Sequence, residues 1–300
     1  MNENGADNFK TAYRVSVISI LVNILLSVIK LASGIFANSS ALISDAVHSL
    51  SDVFSTVVVI IGVKMSSKAD DEDHQYGHER LECIAAIILA SVLMVTGLGI
   101  GLSGIRVFTS NELSALKTPG AVALFAAGLS IVVKESMYWY TRKAAKNINS
   151  DALMADAWHH RSDALSSVGS IIGIGGAMLG FAVLDPLASI VICLFIIKAA
   201  FDIYKDAVSK LIDKAADIQT TAKIREIILS NEKVLGIDVL KTRLFGAKIY
   251  VDTEISVDGK MTLFSAHETA QSVHDEIEKN FPMVKHCMVH VNPYSEDEVR

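Results

Sequence analysis

Two stretches decide the fold: residues 44–57, SDAVHSLSDVFSTV, and residues 155–168, ADAWHHRSDALSSV. Laid over one another they match at Asp45/Asp156, Ala46/Ala157, His48/His159, Ser51/Ser162, Asp52/Asp163, Ser55/Ser166 and Val57/Val168. Each copy sits in an apolar run and carries a histidine and an aspartate four apart, a spacing that a helix turns to one face. Two such faces opposed supply two imidazoles and two carboxylates. An aspartate at a bilayer helix centre costs about 2.5–3.5 kcal/mol on insertion scales, so such residues face a bundle interior and mark ion or proton pathways.

Outward from these copies, hydropathy defines the rest of the chain. A membrane span needs about 20 largely apolar residues, and six runs qualify: 13–36, 41–65, 81–108, 120–140, 153–181 and 184–204. The chain is 51% hydrophobic with mean hydropathy +0.41, above the ~45–50% of soluble domains. Lysine and arginine gather in alternate connections. Lys10 and Arg14 flank the first run, Lys68 and Arg80 the second connection, Arg142, Lys143 and Lys146 the fourth, and Lys205, Lys210 and Lys214 follow the sixth run. The opposite connections hold no such residue near Asn38 or Asp185, and Arg106 and Lys117 in the third. The positive-inside rule then predicts both termini in the cytoplasm.

Beyond about Lys210 no run is long enough to span, and ordinary charge density returns. The expected elements are a helix at 217–230, strands at 236–244 and 248–257, a helix at 265–280 and a strand at 286–292. Ile249, Val251, Thr253, Ile255 and Val257 alternate with Tyr250, Asp252, Glu254 and Ser256, the period of a half-buried strand. The expected architecture is therefore an α-helical membrane protein of six transmembrane helices, residues 1–210, followed by an α+β cytoplasmic domain of αββαβ order, residues 211–300.

Composition also excludes classes. A net charge of −6 with no Lys/Arg block argues against nucleic-acid binding. Cys83, Cys193 and Cys287 form no C-x-x-C and read as small buried hydrophobes. The polar, acid-containing start MNENGADNFKTAYR has no A-x-A-like site after the first apolar run, so no removable signal is expected. The glycine-rich stretches GLGIGLSG and GSIIGIGG join no strand to a helix and read as close helix approaches. Lys30 and Lys134 are expected to snorkel from helix ends, and Glu135 receives no role.

The chemistry of the repeated pairs points to a metal. Two imidazoles and two carboxylates complete a tetrahedral shell at about 2.0–2.2 Å, which suits zinc and needs no thiolate; ferrous iron, cobalt and cadmium stay open. His48, Asp52, His159 and Asp163 are the candidate ligands, with Asp45 and Asp156 as neighbouring or access-path groups and His160 nearby. Imidazole titrates near pH ~6.5, so protons entering from outside would expel the ion. The expectation is a proton-coupled, alternating-access exporter whose metal is cargo and not cofactor. An enzyme is disfavoured, because four ligands saturate the ion, whereas a catalytic zinc keeps an open position, and no H-E-x-x-H occurs. A membrane metal sensor is the alternative of a different class, though it has no need of buried carboxylates at mid-bilayer.

With these motifs in place, the chain resembles the cation diffusion facilitator family of divalent-metal exporters over nearly its whole length. The resemblance rests on the six spans, the His/Asp pairs, the acidic-histidine loop KADDEDHQYGHERLE and the metallochaperone-like tail. It implies a homodimer with cytoplasmic termini that exchanges metal for protons, with His48, Asp52, His159 and Asp163 at the transport site; the bacterial look of the compact chain, separately, leads to the expectation of a cell (inner) membrane. Histidine at both 48 and 159 resembles the zinc-type pattern, with Fe2+, Cd2+ and Mn2+ as alternatives. The same resemblance implies a second site at Asp71, His74 and His78, which spacing alone reads equally well as a solvated loop. It implies a cytoplasmic site at Asp252, His267 and His290, with Asp238 and Asn292 where other members have His and Asp. It also implies a charge pair of Arg80 and Asp213 linking membrane and cytoplasmic parts across the dimer.

Overall fold

The structure is a computed structural model describing residues 3–36, 40–109, 121–178 and 184–294. The chain divides into two compact units, Met1–Val208 and Ser209–Arg300.

Six long helices make up the first unit among the described residues: α1 (Glu3–Phe36), α2 (Ser40–Ser66), α3 (Arg80–Thr109), α4 (Ala121–Ile148), α5 (Asp151–Met178) and α6 (Leu184–Leu211). The shortest has 27 residues, or about 40 Å at 1.5 Å per residue, more than the ~30 Å hydrocarbon core. Several overrun the apolar runs at their polar ends: α1 begins at Glu3, α4 continues to Ile148 and α6 to Leu211. The added turns of α4, TRKAAKNI, and of α6, KDAVSKL, carry alanine, lysine and, in α4, arginine, which favour helix in water. Two helical stretches, Asp7–Ser33 and Arg80–Arg106, are long and apolar enough by composition to cross a membrane; α2, α4 and α5 carry charge in their middles, at Asp52, Lys134 and Asp163.

The first unit distributes polarity in the reverse of a water-soluble bundle. Its interior holds Ser16, Ser19, Asn23, Lys30, Asp52, Thr56, Lys134, Asp156 and His160, each 3% exposed or less, while Leu21, Leu25, Val28, Val95, Leu102, Leu194 and Phe195 are each about 60% exposed or more. An apolar outside with small and polar residues at the helix contacts is what lipid as solvent selects. Helix approach relies on missing side chains. A Cβ on Gly62 would collide with the Cβ of Ala85, bringing α2 against α3, and one on Gly101 would collide with Cys193 Sγ on α6. Within GLGIGLSG, Gly97 and Gly101 serve close contact with α6, as the sequence suggests, whereas Gly99 faces open space.

The second unit adds α7 (Ile218–Leu229), β1 (Gly236–Phe245), β2 (Lys248–Asp258), α8 (Leu263–Asn280) and β3 (Val284–Tyr294), the expected αββαβ order. Asp217 caps α7 by accepting from the Thr220 backbone N–H, and Thr262 caps α8 by accepting from that of Ser265. The sheet order is β1-β2-β3, with β1 antiparallel and β3 parallel to β2. Gly246, at φ 60, closes the β1–β2 turn. Ile224 and Ile228 of α7 and Val273 and Ile277 of α8 pack on Val251, Ile255, Val257 and Cys287. Asp252, Glu254 and His290 therefore point to the opposite face of the sheet.

Candidate metal centre

α2 delivers Asp52, and α5 delivers His159 and Asp163 one helical turn apart. One ligand atom from each of these three residues lies within 4.8 Å of the others, and all three are buried. His159 Nε2 is 3.2 Å from Asp52 Oδ1. His48 lies on α2 one turn before Asp52; its side chain, like that of Asp45, lies outside the described residues. Three of the four residues of the repeated pairs are thus gathered at one point, with an imidazole and two carboxylates as donors.

Lys134 stands in the same cluster and corrects the expectation that it snorkels. Its side chain is 1% exposed, and its Nζ donates to Asp52 Oδ2 at 2.6 Å and to Asp163 Oδ2 at 2.8 Å. Two buried carboxylates offer this ammonium more than a path to the helix end does. Lys30 is likewise 3% exposed and donates to Ser49 Oγ at 2.8 Å. In the sequence Lys134 stands near the end of its apolar run, at 120–140, and only the extension of α4 to Ile148 places it mid-helix.

Beside the cluster, Thr56 on α2 donates to Asp156 Oδ1 at 3.2 Å, and His160 Nε2 lies 3.6 Å from Asp156 Oδ2. Glu135 also has a place: Trp139 Nε1 donates to it at 3.0 Å, and Arg161 lies 3.7 Å away. The Arg161 guanidinium sits over the Tyr138 ring at 4.4 Å, a cation–π contact joining α4 to α5.

Asp71, His74 and His78 also come together in the loop between α2 and α3. Asp71 lies 3.4 Å from His74 Nδ1 through one oxygen and 3.4 Å from His78 Nε2 through the other. Gly77, at φ 97, permits the turn that brings the two histidine rings within 4.5 Å of one another, tilted by 42°. The Lys68 ammonium, donating at 2.5 Å, and the His74 backbone N–H hold the Asp71 carboxyl well below the usual carboxylate range.

In the tail, the three expected residues do not form one ligand set within a chain. Asp252 and His290 share the open sheet face, with His290 opposite Glu254 and Asp252 opposite Met288. His267 belongs to the first turns of α8, whose buried residues cover the other face. The positions of Asp238 and Asn292 are joined instead: Asn292 Nδ2 donates to Asp238 at 2.9 Å and to Glu254 at 3.2 Å, and Ser256 Oγ donates to Asp238 at 2.6 Å. Cys287 is buried, and burial pushes its thiol up to about 12, which makes it a poor metal ligand. Arg80 opens α3 in the first unit and Asp213, at φ 62, belongs to the second.

Residues 16–212 match the cation efflux transmembrane domain, and residues 216–294 match the cation efflux protein, cytoplasmic domain. The chain is a cation diffusion facilitator. It is 36% identical to an uncharacterized transporter of Methanocaldococcus jannaschii, over 92% of this chain and 96% of that one. Metal tolerance protein C1 of Arabidopsis thaliana is 34% identical over 92% of this chain, which spans 61% of that protein's length. The manganese efflux system protein MneP of Bacillus subtilis is 29% identical over 95% of this chain and 97% of its own. This facilitator is accordingly a membrane protein with a helical transmembrane domain followed by a cytoplasmic α+β domain, and its family is one of transporters, not enzymes.

Proposed function

We propose that this facilitator exports a divalent transition-metal ion, zinc, in exchange for protons, and that the ion binds at Asp52, His159 and Asp163 with His48 as fourth donor. The observation that carries the reading is the buried cluster of an imidazole and two carboxylates on α2 and α5. Borderline zinc accepts nitrogen and oxygen donors at four-coordinate sites, whereas manganese favours sites built from oxygen. Metal loading requires unprotonated donors, so proton entry from the far side favours release and links export to a proton gradient.

Six helices crossing the bilayer, cytoplasmic termini and a homodimer complete the proposal, with Arg80 and Asp213 pairing between its membrane and cytoplasmic parts. The loop group Asp71, His74 and His78 binds a second ion near the entrance, and Asp252, His267 and His290 serve a tail site that requires more than one chain. The protein acts in the cell membrane of its host.

Manganese is the second reading, favoured by the name of the Bacillus subtilis relative. Uptake into proteoliposomes of zinc, manganese, ferrous iron and cadmium, each in competition with the others, separates the two. Zinc uptake that manganese in tenfold excess fails to suppress supports the proposal; preferential uptake of manganese replaces zinc and keeps the exporter.

A further inference from the structure

Metal coordination has no use for an ammonium group, yet Lys134 occupies the centre of the proposed transport site. It lies near the middle of α4, is 1% exposed, and donates to one oxygen of Asp52 and one of Asp163. The second oxygen of Asp52 faces His159 Nε2. The oxygens that the ammonium holds are those that two carboxylates would offer to a cation between them.

We propose that Lys134 is a tethered cation that competes with the transported ion for Asp52 and Asp163, withdrawing as the ion binds and returning as it leaves. The inference rests on the transport-site reading given above. Two carboxylates and one ammonium leave a single net negative charge at the empty site. A divalent ion added while Lys134 stays close turns that to a single net positive charge; the same ion between bare carboxylates would be neutralised and held tightly. A transporter needs binding favourable enough to load and weak enough to release, and a built-in competitor provides the second condition. Lysine suits the task, being a compact charge on a flexible four-carbon stem with rotatable donors, whereas arginine would clamp carboxylates with a rigid fork.

The test titrates zinc alone into the purified full-length chain at one fixed pH by calorimetry. The transport site is defined as the binding component that Asp163→Asn removes. Charge pairs in close contact couple strongly enough that Lys134→Met should tighten this component about tenfold or more. Lys134→Arg, which keeps the charge and grips both carboxylates, should weaken it by about tenfold. Shifts in opposite directions support the competitor, because a merely structural lysine would weaken the site in both variants. A folded Lys134→Met chain with unchanged or weaker affinity overturns the proposal, as does a Lys134→Arg chain that binds as tightly as the unaltered one; should Lys134→Met fail to fold, the arginine variant decides. If Asp163→Asn removes no component, the transport-site reading itself falls. If the component disappears there and the Lys134 variants move nothing, only the competitor falls.

Discussion

Asp52 serves two partners at once, the Lys134 ammonium through one oxygen and the His159 imidazole through the other. Breaking a buried ion pair by removing one partner costs about 3–5 kcal/mol, because the remaining charge stays desolvated. Asp52→Asn should therefore lower unfolding stability by about 3 kcal/mol in detergent, and adding Lys134→Met should cost less than the two single losses combined. Additive losses in a denaturation series would contradict this coupling. The His/Asp spacing was legible because residues four apart share a helix face whatever surrounds them. Lys134 was not legible: its partners stand 82 and 29 residues away, and the snorkelling rule weighs only the distance to a helix end. The loop group lay between the two, its spacing visible but its closure dependent on the turn at Gly77.

At the scale of elements, small residues set the distances between helices. Gly62→Val would drive a branched side chain into Ala85 and should destabilise the α2–α3 contact by about 1–3 kcal/mol, measurable as a lowered melting temperature in detergent; an unchanged melting temperature would refute the close approach. In the tail sheet, hydrogen bonds from Ser256 and Asn292 hold the Asp238 carboxyl below its ordinary range. A lowered carboxylate adds stability above its unfolded value of about 4 and loses it as pH falls through the folded value. Asp238→Asn should thus weaken the tail at neutral pH, and the difference from the unaltered chain should disappear in strong acid. A penalty that persists there would mean the ionised form is not what the network holds. The strands and helices of the tail were readable from period-two alternation and capping residues. The Asp238–Asn292 link was not, because it depends on the parallel pairing of β2 with β3 and on the irregularity near Val239.

For the whole molecule, the inverted polarity of the first unit and the separate core of the second imply different solvents and independent folding. Residues 209–300 alone should give a cooperative thermal transition in water by circular dichroism, since Ile224, Val251, Ile255, Val273 and Ile277 form a core of their own; a non-cooperative melt would contradict that independence. Membrane character was legible in composition and the helix order in hydropathy, whereas the polar extensions of α1, α4 and α6 escaped a criterion that tracks only apolar length. The central claim is that metal crosses through the carboxylates on α2 and α5. Zinc flux into proteoliposomes under an imposed pH gradient, comparing the unaltered chain with Asp163→Asn, tests it most directly. The account predicts gradient-dependent flux that falls to the protein-free level in the variant, while undiminished flux through folded Asp163→Asn protein would contradict it.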